Sequence, residues 1–233
     1  MMGNINRLEI SLGYKFRNLG LLERAVTHRS SAHEAAPSGS EVEVRKLHNE
    51  SLEFIGDSVL GLAVAEELFS RHPDKNEGDL TLMKHQLVSA DTLSRLCEEN
   101  GFSEFLRLGK GEAQTGGRTK RALLADLFEA IIGAVFLDSG YVPARELVIR
   151  LMRNEIKSVT PQRAIDSKTL LQERLQAEKL AVPVYSVEKT VGPPHERTFF
   201  VMVKWDGGEA RGEGTTIKHA EMEAARNALE TIG

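Results

Sequence analysis

Apolar positions along this chain recur with a helical period from its start to about Glu155, and beyond that point the pattern changes class. Ile5 to Tyr14 and Leu19 to Ser30 carry the period of amphipathic helices. Two later stretches, Glu50 to Ala65 and Ala122 to Leu137, are apolar in almost every direction, which predicts buried helices. A helix around Leu80, Met83 and Leu87 is expected with Asp79 or Thr81 as its cap, and another follows Asp91 and ends at Gly101. Ser31 to Lys46 is rich in Ala, Ser, Pro, Gly and charge and predicts a loop, and Ser158 to Ile165 breaks the periodicity as a linker would. After it come a helix (Lys168 to Ala177), strands at Val184 to Thr190 and Thr198 to Trp205, an Asp206-Gly-Gly208 turn, a third strand from Glu209 to Gly214, and a helix from Ile217 to Ile232. The expected architecture is an all-α domain over residues 1–155, a linker over 156–165, and a small α+β module (α-β-β-β-α) over 166–233.

The polar exceptions inside the two apolar helices carry the chemistry. Stepping each residue by about 100° puts Glu50, Glu53 and Asp57 within an arc of roughly 60°. In the second helix the polar side chains are Asp126 and Glu129, spaced i, i+3 on one face. Any one of these acids alone reads as a solvated position or an ion pair. Together they do not, because neither stretch contains a Lys or Arg to pair with them. If the helices pack against each other, Glu53, Asp57, Asp126 and Glu129 form a four-carboxylate cluster that needs a cation to offset its repulsion and lost hydration. Several converging oxygens suit a hard cation such as Mg²⁺.

Composition narrows the setting. The 233 residues are 41% hydrophobic, enough for one large or two modest cores, and the net charge of -4 gives no global sign of a polyanionic partner. A single cysteine, Cys97, excludes an internal disulfide and fits a reducing compartment. No charged-then-apolar leader is visible and the apolar runs contain acids, so a cytoplasmic protein with no membrane association is expected.

The segment Asn49-Glu-Ser-Leu-Glu-Phe-Ile-Gly-Asp-Ser-Val-Leu60 closely resembles the signature of the ribonuclease III family, and Leu124-Ala-Asp-Leu-Phe-Glu-Ala130 resembles its second acidic motif. Thr27-His-Arg-Ser30, Glu77-Gly-Asp-Leu-Thr81, and Leu108-Gly-Lys-Gly-Glu112 with Thr115-Gly-Gly-Arg118 are similar to further family motifs in the same order. The C-terminal module resembles a double-stranded-RNA-binding domain through Lys168-Thr-Leu-Leu-Gln-Glu173, Gly192-Pro-Pro-His195, Gly212-Glu-Gly214 and Lys218-His-Ala-Glu221.

That resemblance implies a magnesium-dependent endoribonuclease for double-stranded RNA, with Mn²⁺ able to substitute, whose products carry 5′-phosphates, 3′-hydroxyls and short 3′ overhangs, acting in rRNA and mRNA processing. It implies Glu53, Asp126 and Glu129 as metal ligands, Asp57 and Glu129 as catalytic acids, and Glu50 and Glu77 as acids near the scissile strand. It also implies RNA contacts at Thr169, Gln172, Glu173 and Gln176 on the module's first helix, at His195 in a loop, and at Lys218 over phosphates. Cutting both strands calls for two clusters, which a twofold homodimer supplies. Phe54 matches a side chain that enters the partner subunit, although an ordinary core aromatic fits the sequence equally well. Two departures stand out. Ile217-Lys218 replaces the usual pair of lysines, and the module from Asp166 onward holds nine Lys plus Arg against eleven Asp plus Glu. A non-cleaving regulator that clamps duplex RNA is the competing function.

Overall fold

In chain order the first helices are α1 (Ile5–Leu12), α2 (Leu19–Ala25), α3 (Arg29–Ala35), α4 (Glu41–Arg45) and α5 (Glu50–Arg71). They are followed by α6 (Glu77–Leu87), α7 (Ala90–Glu99), α8 (Lys110–Gln114), α9 (Arg121–Ser139), α10 (Tyr141–Leu151) and α11 (Arg153–Ser158). This computed structural model describes residues 5–161, 167–192 and 197–232. The chain divides into two units, residues 1–161 and 162–233.

The helical unit is built on the crossing of α5 and α9. Leu52, Leu60, Ala63 and Val64 of α5 meet Leu127, Phe128, Ile131 and Val135 of α9 in one core, which α7 closes with Leu93, Leu96 and Cys97. Two glycines make the crossing close. A Cβ placed on Gly56 would lie 1.9 Å from the Glu129 carbonyl oxygen, and one on Gly133 would lie 2.1 Å from the Leu52 carbonyl oxygen. The two backbones therefore touch where any other residue would hold them apart.

Several sequence expectations change. Leu19 to Ser30 is two helices, not one, because Thr27 leaves the helical path to bridge Arg107 in a short parallel pairing. Ser31 to Lys46, expected as a loop, contains the end of α3 and all of α4. The cause is a capping box in which Ser40 Oγ accepts from Glu43 N–H while the Glu43 carboxylate accepts from Ser40 N–H. The cap of α6 is Asn76, whose side chain accepts from Asp79 N–H, so Asp79 and Thr81 lie inside the helix. Helix α5 is not buried all round: Phe54 is 75%, Leu62 57% and Phe69 72% exposed in the single chain. Finally, α11 runs through Ser158, and Ile156 and Val159 are buried in the helical core, so the ordered helical unit extends past residue 155.

The second unit consists of α12 (Ser167–Ala177), β1 (Val184–Val191), β2 (Thr198–Trp205), β3 (Gly208–Gly214) and α13 (Ile217–Ile232), with an antiparallel sheet in the order β1-β2-β3. Its core joins Leu171 and Leu175 of α12, Val201 and Val203 of β2, and an alanine face of α13 (Ala220, Ala224, Ala225, Ala228). Short side chains on α13 and Gly212 on β3 let helix and sheet approach: a Cβ at Gly212 would meet Ala224 N at 2.1 Å.

Candidate active site

The glycine-mediated crossing decides where the acids go. Glu53 lies three residues before Gly56 on α5, and Glu129 four residues before Gly133 on α9, so both project along one rim of the contact. Asp126 sits one turn before Glu129. One carboxylate oxygen from each of Glu53, Asp126 and Glu129 lies within 4.8 Å of the others, and all three side chains are half-buried. Of the cations near these helices, Arg29 pairs with Glu50, Lys120 with Glu112 and Arg121 with Asp91, while Lys84 lines a cleft beside Asp57.

Burial and crowding leave a clear electrostatic mark. Loss of hydration, followed by the charges of Asp57, Glu53 and Asp126, pushes Glu129 up to about 8. Burial, followed by the charges of Asp126, Glu50 and Asp57, pushes Glu53 up to about 7. Asp126 is raised too, chiefly by burial. A divalent cation relieves all three. The donor set suits a hard ion: three carboxylate oxygens, each within 4.8 Å of the others, could converge on one divalent cation.

Asp57, expected as a fourth member, is exposed and lies outside the trio, although its charge reaches Glu129 and Glu53. Glu50 also stays outside, held by Arg29 Nη1 at 3.2 Å, while its backbone N–H donates to His48 Nδ1. Arg29, twenty-one residues away, was invisible as a partner in the local sequence. Glu77 begins α6 and accepts a hydrogen bond from Thr81 Oγ1 at 3.0 Å. It lines a cleft with Phe69, Leu80 and Lys84 and is not part of the trio.

On the second unit, Thr169, Gln172, Glu173 and Gln176 are all exposed on one face of α12, opposite buried Leu171 and Leu175. Lys218 is exposed in the first turn of α13, and Ile217 beside it is 43% exposed. His195 lies outside the described residues.

Residues 18–156 match the family described as Ribonuclease-III-like. The chain belongs to the ribonuclease III family. Residues 167–232 match the double-stranded RNA binding motif. Ribonuclease 3 of Magnetococcus marinus is 40% identical over 230 residues, covering 98% of this chain and 93% of its own length. Ribonuclease 3 of Oleidesulfovibrio alaskensis is 42% identical over 228 residues, covering 97% of this chain and 96% of its own. Among solved structures, the nuclease domain of ribonuclease III from Campylobacter jejuni superposes with a TM-score of 0.58 at 34% identity, covering 65% of this chain and 98% of that one. The work on that domain concerns flexibility in a region involved in its dimer formation. As a member of the ribonuclease III family this protein is an endoribonuclease, with a double-stranded-RNA-binding unit following its nuclease unit. Among the described residues, no helix is long and apolar enough to cross a membrane.

Proposed function

We propose that this ribonuclease III-family protein hydrolyses phosphodiester bonds of double-stranded RNA with Mg²⁺, as a cytoplasmic homodimer, leaving 5′-phosphate and 3′-hydroxyl ends with short 3′ overhangs during processing of rRNA and other transcripts. The observation that carries the reading is the half-buried trio of Glu53, Asp126 and Glu129, crowded together with raised proton affinities. These three would hold the ion, with Mn²⁺ serving in its place. When bound, a divalent cation supplies an activated water and charge for the phosphoryl oxygens of the transition state. The residues of the chain fix the geometry: the α5–α9 crossing sets the oxygens, and exposed Asp57 sits one helical turn beyond Glu53, where a water attacking the phosphorus would be oriented. Glu50 and Glu77 are assigned to the surroundings of the scissile strand.

Support for a homodimer comes from the exposed side of α5. Phe54, Leu62 and Phe69 fall within roughly 80° of helical arc, an apolar stripe that a single chain leaves uncovered. It is flanked by two clefts between α5 and α6, one lined by Asp57, Leu62, Lys84 and Val88 and the other by Phe69, Leu80 and Lys84. A symmetric partner laying the same stripe here would seat Phe54 in one of them. For the RNA-binding unit, the polar face of α12 fits a shallow minor groove and Lys218 a phosphate.

The test is a labelled RNA duplex incubated with the protein in Mg²⁺ or in EDTA, alongside Glu129→Gln. Cleavage is expected in Mg²⁺ only, and Glu129→Gln is expected to lose it by orders of magnitude while retaining duplex binding. Near-normal cutting by the variant at saturating Mg²⁺ would remove Glu129 from the ligand set.

A further inference from the structure

We propose that Arg29 is a positioning residue: it holds Glu50 outside the carboxylate trio and thereby balances the site's affinity for a divalent cation against its tolerance of a phosphodiester. The inference rests on the reading of the trio as the metal centre of a double-stranded-RNA nuclease.

Arg29 leaves the chain from a fixed stretch of backbone. Arg107 N donates to Val26 O at 2.7 Å and His28 N donates to Arg107 O at 3.0 Å, while Ser30 Oγ accepts from Gly109 N at 2.9 Å. The same stretch is tied to the start of α5, because Asn49 N donates to Thr27 O at 2.9 Å. Arg29 and Glu50 are therefore carried on two segments held to each other by backbone hydrogen bonds, and their side chains meet at 3.2 Å. Exposures of 60% and 48% make this pair a weak contributor to folding. Its consequence lies one turn away. Glu50 precedes Glu53 by three residues on the same face of α5, so an unrestrained Glu50 side chain reaches the trio. Even where it stands, its charge raises the proton affinity of Glu53 and Asp126.

Without Arg29, a fourth carboxylate joins the cluster. It attracts a cation more strongly and repels the phosphodiester more strongly, so the two affinities move in opposite directions. A merely structural role would weaken both together.

The experiment uses the full chain and the variants Arg29→Gln, Arg29→Lys, Glu50→Gln and Arg29→Gln/Glu50→Gln. Mn²⁺ binding is measured by calorimetry without RNA, and duplex binding by fluorescence anisotropy in EDTA. Arg29→Gln is expected to bind Mn²⁺ about three- to tenfold more tightly and duplex more weakly by a similar factor, with unchanged thermal unfolding, the size following from one charge at an effective dielectric near that of a protein surface. Arg29→Lys should restore most of both, and the gain in Mn²⁺ affinity should vanish when Glu50→Gln is the background. Unchanged or weaker Mn²⁺ binding in folded Arg29→Gln overturns the proposal, as does a gain that persists in the Glu50→Gln background. Failure of the wild type to bind Mn²⁺ or cut duplex would instead overturn the metal-centre reading, and this inference with it.

Discussion

At the scale of single residues, the trio stores a pH dependence that a bound cation should erase. Glu129 at about 8 and Glu53 at about 7 stand above the carboxylate value of 4.5 that applies once the chain unfolds. The folded state thus holds protons more tightly than the unfolded one. Stability from these groups is complete below about pH 4.5 and is lost as pH rises through 7 and 8, when both ionise against each other. In EDTA the melting temperature should fall between about pH 5 and pH 8, and Mg²⁺ should flatten that slope. An equally steep fall in Glu129→Gln would show that other groups cause it. A second residue-scale prediction concerns Ile217. Its 43% exposure in the first turn of α13 means that a lysine there need not enter the module's core. Ile217→Lys is expected to leave thermal stability unchanged and to steepen the salt dependence of duplex binding by about 0.9 in log K against log[salt], the B-DNA figure serving as a guide. A lower melting temperature with no change of slope would mark Ile217 as a packing residue.

At the scale of elements, the site depends on how closely two helices approach. Gly133→Ala would place a Cβ 2.1 Å from the Leu52 carbonyl oxygen and 2.9 Å from Ile55 Cγ2, and backbone cannot yield as a flexible side chain does. The helices must separate, at a cost of ~3 kcal/mol or more, and the three oxygens move apart with them. Gly111→Ala on α8 meets nothing within 4 Å and should be neutral or slightly stabilising. Thermal unfolding and Mn²⁺ titration of both variants check this, and equal behaviour would refute the argument. The acids and the two long helices were legible in the sequence because a 3.6-residue period spans many turns. Short elements were not. The five residues of α4 bury only Val44, and their helix rests on the local Ser40–Glu43 exchange rather than on periodicity. The break at Thr27 depends on Arg107, eighty residues away in sequence, and no local pattern announces it. The exposure of Phe54 was equally hidden, since an apolar stripe looks the same whether its cover is the same chain or another.

At the scale of the whole molecule, the question is where the nuclease unit ends. Periodicity placed the boundary near residue 155, yet Ile156 is 2% and Val159 4% exposed, both within the helical core. A chain cut after residue 155 leaves the cavity those two side chains fill, and burying them is worth roughly 2 kcal/mol each. It also loses the last three of the six residues of α11, and with them the Arg95–Glu155 ion pair loses its fixed end. Residues 1–161 should therefore fold on their own and melt well above residues 1–155 under the same buffer, salt and protein concentration. Because the exposed stripe of α5 belongs to this unit, the 1–161 piece should also sediment as a dimer and nick duplex RNA at low salt, with weaker binding than the full chain. Equal stability of the two truncations would show that Ile156 and Val159 do not anchor the boundary. A folded monomer that cuts duplex would separate catalysis from the proposed pairing through α5.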